Sequence, residues 1–252
     1  MSSCFTQYYY GPKNRIPTSI SSVSFLDSKS LNLFGIFYIN SVNPFSLTNS
    51  NITNCGATQC VGSFEISSAA CFIKYTKFQH SYARVHNGCI VLRNPSSLFI
   101  DSSTFVQCQQ ITTLTETGCD LLLYNVPPDS LIKNTAFIES DPSKGFSITA
   151  VNGIELTFEN CIFSYPKNVE INPSSSYLCV LTNTIFGCLK SENNQDKDAE
   201  MVDVEDTKKR VQCNKIKDEI DRKISKSNEN SISNIRQRLS KNEYNDKYLN
   251  IL

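Results

Sequence analysis

Hydrophobic residues recur along the first three quarters of the chain as a repeat of 23 to 32 residues. Each repeat carries an anchor that is Phe or Ile, and the residue five positions before the anchor is always apolar. The anchors are Phe25, Ile52, Phe78, Phe105, Phe137, Phe163 and Phe186. The apolar residues before them are Ile20, Leu47, Ile73, Ile100, Ile132, Phe158 and Leu181. Because apolar and polar positions alternate around each anchor, the pattern predicts short β-strands separated by turns.

Turn-forming residues stand at two fixed places in the repeat. Four repeats have asparagine three positions before the anchor: Asn49, Asn134, Asn160 and Asn183. Five intervals have a glycine about ten residues after the anchor, followed by a second apolar strand: Gly35, Gly62, Gly88, Gly118 and Gly145. Asparagine tolerates the left-handed backbone of a sharp turn, and glycine adopts it at no cost. We therefore predict one corner at the asparagine row and another, with positive φ, at the glycine row.

A unit of this length cannot bury its apolar face alone, so successive units must stack with parallel strands. Neither the helical period, nor the longer blade of a propeller, nor the dense leucine pattern of leucine-rich repeats is present. We predict an all-β fold, a parallel β-helix solenoid of about seven coils, with a charged α-helical C-terminal tail. At about 4.8 Å per coil the stack is roughly 30 Å long, and equivalent apolar side chains lie directly above one another.

The consensus of apolar-x-apolar-x-Asn/Ser-Ser/Thr-x-Phe, with the later glycine, resembles the right-handed parallel β-helix repeats of the pectate-lyase-like superfold. More narrowly, it is similar to the short Phe-x-x-Cys/Asn and Gly-x-x-Ile repeats of polymorphic-outer-membrane-protein-like surface proteins, which are abundant in some protists. The resemblance spans about residues 18–189 and implies a right-handed coil. It implies little about function, since this architecture carries enzymes, adhesins and scaffolds alike.

The composition changes abruptly at Lys190. About 11% of the residues before it are charged, against about 43% from it onwards, and all fifteen phenylalanines precede it. We predict an N-terminal lead-in or cap over residues 1–17, the β-helix over 18–189, an acidic linker over 190–206 and a helical tail over 207–252.

The tail carries a thin apolar stripe at helical spacing. Its members are Val211, Ile216, Ile220 and Ile224, followed by Ile232, Ile235 and Leu239. The Ser- and Asn-rich stretch Ser225–Ser231 predicts a break between two helices. Three alternatives stay open: a loosely attached helix, a cap on the last coil, or a helix that contacts a partner through residues 208–239.

The overall charge excludes some partners, because 24 basic side chains balance 24 acidic ones. Without a basic stripe interleaved with aromatic residues, we expect no nucleic-acid binding. No run approaches the roughly 20 apolar residues of a membrane helix, and residues 1–17 lack the pattern of a secretory signal. As written, the sequence predicts a cytoplasmic protein; if the chain is a fragment, it predicts the cell surface.

Enzymes of this fold bring carboxylates and a base together on one face, or hold calcium with several aspartates. The acids of the repeats fall in different columns, and we expect them to be solvated: Asp27, Glu65, Asp101, Asp120, Asp129, Glu139, Asp141, Glu155, Glu159 and Glu170. We therefore expect no catalytic residue, cofactor or metal site. The sequence favours a non-enzymatic interaction or scaffold protein, with surface adhesion as one such role. The alternative is a carbohydrate-active β-helix enzyme of the pectate-lyase or polygalacturonase type.

Two further features of the sequence have side chains that can bind a ligand or form a covalent cross-link. His80, Tyr82, Arg84 and His86 lie close together between two repeats, as exposed polar residues of one loop or as a candidate ligand site.

Ten of the eleven cysteines precede Lys190, several in shared columns, which favours buried reduced thiols. Cys89 and Cys119 each follow a recurrent glycine. Their coils place them one strand spacing apart, so an oxidising compartment would allow a disulfide between them.

Overall fold

The computed structural model describes residues 5–8, 18–30, 37–40, 43–58, 61–67, 70–84, 88–111, 118–140, 146–153, 155–172, 178–188 and 204–249. Within the last range, side chains are described at 209, 211–234 and 237, and residues 5–8 are described by their backbone.

The chain winds through short strands, coil after coil. The first coil contains β1 (Phe5–Tyr8), β2 (Thr18–Ser21), β3 (Ser24–Leu26) and β4 (Lys29–Ser30). The second contains β5 (Phe37–Asn40), β6 (Phe45–Thr48), β7 (Asn51–Thr53) and β8 (Gly56–Ala57). The third contains β9 (Phe64–Ser67), β10 (Ala70–Lys74), β11 (Lys77–Gln79) and β12 (Tyr82–Ala83). The fourth contains β13 (Ile90–Arg93), β14 (Ser97–Asp101), β15 (Thr104–Val106) and β16 (Gln109–Gln110).

The later coils carry fewer strands. The fifth contains β17 (Gly118–Tyr124), β18 (Ser130–Lys133) and β19 (Ala136–Ile138). The sixth contains β20 (Phe146–Val151), β21 (Glu155–Glu159) and β22 (Ile162–Phe163). The short helix α1 (Lys167–Glu170), strand β23 (Leu178–Thr182) and the long helix α2 (Val204–Leu249) follow.

Equivalent strands of successive coils pair in parallel and form four sheets. Sheet A contains β1, β5, β9, β13, β17 and β20; sheet B contains β2, β6, β10, β14, β18, β21 and β23. Sheet C contains β3, β7, β11, β15, β19 and β22; sheet D contains β4, β8, β12 and β16. The predicted all-β parallel solenoid with a helical tail is confirmed. The solenoid has about five coils rather than seven, and the last coils of the described chain contribute to only some of the sheets.

Repeat positions become vertical neighbours inside the solenoid. Ile73 pairs in register with Ile100, and Ile100 pairs with Ile132. All three side chains are fully buried. Burial of an isoleucine side chain contributes about 1.5–3 kcal/mol, so the file is a main source of stability, as the repeat predicted.

The anchor residues form a second inward file, of aromatic rings. Phe78, Phe105, Phe137, Phe163 and Phe186 stack with ring centroids 4.6 to 5.1 Å apart and planes within 8° of each other. The spacing follows from the separation of paired strands, which is about 4.8 Å. Phenylalanine therefore recurs at the anchor because each ring covers the ring of the coil before it.

The predicted corner between sheets B and C is confirmed. The residue three before the anchor has a left-handed backbone in all seven repeats, with φ between 46° and 58°. The seven residues are Ser22, Asn49, Tyr75, Ser102, Asn134, Asn160 and Asn183. Asparagine dominates this row because it accepts that conformation at a lower cost than most other residues.

The glycine prediction was wrong about the cause at Gly62 and Gly88. Neither has positive φ. Instead, a Cβ on Gly62 would come within 1.8 Å of the carbonyl oxygen of Gly88, and one on Gly88 within 2.5 Å of that of Gln109. Successive coils approach so closely here that only glycine fits.

Helix α2 packs along the outer face of sheet C. Ile220 and Ile224 are buried against Ala136 and Ile162. Val211, predicted to belong to the apolar stripe, is 48% exposed, and the buried position near it is taken by Cys213. The tail thus lies along the side of the solenoid, and contact of α2 with a partner stays a prediction.

The predicted helix break at Ser225–Ser231 was wrong, because α2 is continuous through it. The serines of this stretch contact the corner of the second coil: Ser227 Oγ donates to Asn49 Oδ1, and Asn49 Nδ2 donates to Ser231 Oγ over 3.0 Å. None of the described helices is both long and apolar enough to cross a membrane.

Candidate functional site

The structure describes three of the four residues of the candidate ligand loop. His80 lies at a corner with a left-handed backbone, at φ 54°. Its Nδ1 is 3.1 Å from Asn54 Oδ1 and its Nε2 is 2.6 Å from Gln107 Oε1. Tyr82 lies on β12, with its ring against Gly56 of the preceding coil, and Arg84 is exposed. His86 lies outside the described residues. Both ring nitrogens of His80 therefore contact side chains of neighbouring coils.

The contacts of His80 belong to a polar row with one residue per coil. The row contains Asp27, Asn54, His80, Gln107 and Glu139, all with φ between 50° and 55°. Asn54 Nδ2 donates to Asp27 Oδ1 over 3.0 Å, and Gln107 Nε2 donates to Glu139 Oε2 over 2.6 Å. These residues all stand two positions after an anchor, which is the sequence signal for the row. Its role is to close the corner between sheets C and D.

Three carboxyl groups that we expected to be solvated are buried: Glu65, whose Oε1 accepts a hydrogen bond from Arg93 Nε over 2.8 Å, and the pair Asp120 and Glu170. Asp120 is fully buried and Glu170 is 2% exposed. Ser140 Oγ lies 2.8 Å from each carboxyl oxygen of Asp120. Ser147 Oγ donates to Glu170 Oε2, and the backbone N–H of Tyr165 donates to Glu170 Oε1 over 2.6 Å.

Burial shifts Asp120 and Glu170 toward the neutral form. Desolvation raises the pKa of Asp120 to about 8; the nearby Glu170 adds to the rise, whereas the hydrogen bond from Ser140 opposes it. Desolvation likewise raises the pKa of Glu170 to about 7, against the hydrogen bonds from Ser147 and the Tyr165 backbone. Acids with such values are typical of general-acid catalysts. These carboxyl groups are enclosed by the solenoid, so their effect is on its folding stability.

Most cysteines of the repeats are buried thiols, the arrangement that their shared columns favoured. Cys89 and Cys119 are buried thiols rather than a disulfide. Ile90 pairs with Leu121, and β17 is irregular between Gly118 and Leu121, so the register places Cys89 level with Asp120 instead of Cys119.

The disulfide of the described chain joins Cys188 of the last coil to Cys213 of α2. It fastens the helix to the solenoid. A cavity of about 60 Å³ lies beside it, lined in part by Ile162, Phe163 and Lys217, with room for one or two waters. Within the described residues, no group of three or more His, Cys, Asp or Glu is placed to hold a metal.

Reactivity is low at the most deeply buried thiols. Burial raises the pKa of Cys71 to about 12 and that of Cys161 to about 12. Since the thiolate is the reactive form, neither thiol is suited to act as a nucleophile.

The outer face of sheet B, called the open face below, presents several rows of side chains, among them a central row and an outer row. The central row contains Ser46, Phe72, Phe99, Leu131, Thr157 and Val180, and the outer row contains Thr48, Lys74, Asp101, Lys133, Glu159 and Thr182. Every one of these side chains is at least partly exposed. The equivalent row on sheet A is instead buried, at Glu65, Val91, Leu122 and Thr149. Sheet B is therefore available for contact where sheet A is covered.

The open face concentrates cations on an aromatic ring. Lys74 Nζ lies 4.8 Å and Lys133 Nζ 5.2 Å from the ring centroid of Phe99. Between them, Asp101 Oδ1 accepts hydrogen bonds from Ser102 Oγ and Asn134 Nδ2, each 2.9 Å long. Among the described residues, neither lysine forms an ion pair. The chemistry of these side chains is suited to an apolar or aromatic group that carries negative charge nearby.

Comparison of the chain with protein-family models, with curated protein sequences and with solved structures found no match.

Proposed function

We propose that the chain is a non-enzymatic interaction module, a rigid β-solenoid that binds another macromolecule through the open face. The observation that carries this proposal is the partly exposed apolar strip of Phe72, Phe99 and Leu131, bordered by a row of charged side chains. An apolar and aromatic centre with a charged rim is the usual anatomy of a protein interface.

The fold suits such a role because its hydrogen-bonded corners and stacked interior hold the open face in one geometry. A preorganised surface loses little conformational entropy on binding. The resemblance of the repeats to those of polymorphic-outer-membrane-protein-like surface proteins supports adhesion as the biological setting. We propose no nucleic-acid partner, since the charges of the open face alternate in sign instead of forming a basic stripe.

The alternative, a carbohydrate-active enzyme, has weaker support. The carboxyl groups with near-neutral pKa values, Asp120 and Glu170, are enclosed by protein. On the open face, Asp101 is held by Ser102 and Asn134. Release of reducing or unsaturated sugars from polyuronides by the purified chain would overturn the non-enzymatic proposal.

Photo-crosslinking tests the binding surface. p-Benzoylphenylalanine replaces Phe99 on the open face or, as the matched control, Leu26, which is 64% exposed on sheet C. In extracts of the source organism, we expect discrete adducts from position 99 and none from position 26. Equal adducts from the two positions, or none from position 99, would contradict the proposal.

A further inference from the structure

Charges on the outer row of the open face alternate from coil to coil. Lys74, Asp101, Lys133 and Glu159 occupy the same position in four successive strands. Consecutive members lie one strand spacing, about 4.8 Å, apart along the solenoid. Along the solenoid, the charges of this row are therefore positive, negative, positive and negative. When the row is followed in the opposite direction, each position has the opposite sign.

We propose that the open face binds a second copy of the chain about a two-fold axis parallel to the strands, passing between β14 and β18. This inference rests on the proposed function and names its partner. The axis reverses the order of coils while keeping each row opposite the same row of the second copy. Lys74 then meets Glu159 of the second copy, and Lys133 meets Asp101 of the second copy. All four contacts generated by the axis pair opposite charges, as an isologous interface requires.

The central row is compatible with the same axis. Phe99 meets Leu131 of the second copy, and Phe72 meets Thr157 of the second copy, so apolar groups lie at the centre. A two-fold axis parallel to the solenoid and passing over the outer row would instead place Lys74 on Lys74 and Asp101 on Asp101, which is repulsive. The alternation thus selects one orientation of the two copies and disfavours the other.

The charged side chains of the outer row have carboxylate and ammonium groups that can form these contacts. Both hydrogen bonds to Asp101 end on Oδ1, and the contact from Asn160 to Glu159 ends on Oε1. Among the residues that the structure describes, none donates a hydrogen bond to the second carboxylate oxygen of either acid, so this oxygen can accept one from a lysine. Lys74 and Lys133 have no ion pair with a described residue of their own copy.

Helix α2 lies over sheet C, which leaves the open face accessible. The six strands of sheet B from β6 to β23, each about 15 Å long at a spacing of about 4.8 Å, offer roughly 430 Å² per copy. That is about half of a standard protein–protein interface, so the dimer is expected to be weak and sensitive to salt.

Sedimentation equilibrium of the full chain tests the proposal. We expect reversible dimers at about 500 µM protein in about 50 mM NaCl, and their loss in about 500 mM NaCl. Lys74→Glu places like charges opposite each other and should raise the dimer Kd about tenfold or more, and so should Glu159→Lys. The double variant restores opposite charges and should return the Kd to within about threefold of that of the unchanged chain.

Lys29→Glu makes the same charge change on sheet D and should leave the Kd unaltered. Far-ultraviolet circular dichroism identifies any variant that fails to fold. In that case the charge reversals Asp101→Lys and Lys133→Asp, made singly and together, repeat the test. A monomer under all conditions, or no rescue in the folded double variant, overturns the dimer. The proposed function would still stand if position 99 crosslinked to a different protein, and would fall with the dimer if it crosslinked to nothing.

Discussion

The buried carboxyl group of Asp120 makes the stability of the solenoid depend on pH. Its pKa is raised from 3.8 to about 8 in the folded chain, whereas in the unfolded chain it is near 3.9. Below the unfolded value both states hold the proton, and stability is complete. As the pH rises toward 8, the unfolded state releases the proton first, so the free energy of unfolding falls.

The size of the loss follows from the shift. About four pKa units at about 1.4 kcal/mol each correspond to on the order of 5 kcal/mol between pH 4 and pH 8. Glu170 acts in the same direction, because its pKa is raised from 4.5 to about 7. The two groups interact, so the separate contributions do not simply add.

Urea unfolding at pH 5 and at pH 8, followed by circular dichroism, measures this loss. Asp120→Asn removes the ionisable group and keeps an oxygen that can accept the hydrogen bond from Ser140. The variant should retain only the smaller pH dependence due to Glu170. Asp129→Asn, at an exposed position, is the matched control and should follow the unchanged chain. Stability of the unchanged chain that is constant or rises between pH 5 and pH 8 would refute the reasoning.

Three further predictions concern packing and cross-linking. Gly88→Ala places a Cβ 2.5 and 2.6 Å from two backbone oxygens and should lower Tm by several degrees. In Gly56→Ala, the nearest atoms to the new Cβ belong to the movable ring of a tyrosine, so this variant should lower Tm less. Equal decreases of Tm in calorimetry would argue against the close-approach explanation. Phe105→Ala removes a ring stacked on both sides and should cost about 3–5 kcal/mol in urea unfolding, with a cost below about 1 kcal/mol counting against the stack. Reduction of the disulfide between Cys188 and Cys213 opens a loop of 25 residues and should cost about 3 kcal/mol; an unchanged melting curve in dithiothreitol would contradict it.

Much of the fold was predictable because a solenoid repeats its constraints. The apolar residue five before the anchor is buried in five of the seven repeats, and Ile73, Ile100 and Ile132 fall in one file as a direct result. The asparagine corner was predictable for the same reason, since a left-handed residue is needed once per coil.

The features that could not be predicted from the sequence depend on irregular strands or on contacts between residues far apart in the chain. Asp120 is buried next to an irregular stretch of β17, and Glu170 lies on the short helix α1, outside the repeat. The partner of Cys188 lies on a helix 25 residues further along, so no repeat spacing relates the two cysteines. The serines that suggested a helix break instead find a partner in Asn49, which tertiary structure alone supplies.

The proposed interaction surface could be predicted from the sequence only in part. Lys74, Lys133 and the acids between and after them were present as scattered charges. Only the strand register turns them into a row with alternating sign. The proposed binding role of this row also depends on the partly exposed apolar side chains beside it, namely Phe99 and its neighbours.

The most direct test of the account is whether side chains of successive coils touch in file. In methyl-labelled protein, nuclear Overhauser effects between isoleucine δ1 methyl groups report distances of a few ångströms, and single Ile→Val variants assign each signal. We expect cross-peaks between Ile73 and Ile100 and between Ile100 and Ile132, whose strands are about 4.8 Å apart. A folded protein that lacks both cross-peaks would contradict the solenoid and every inference drawn from its register.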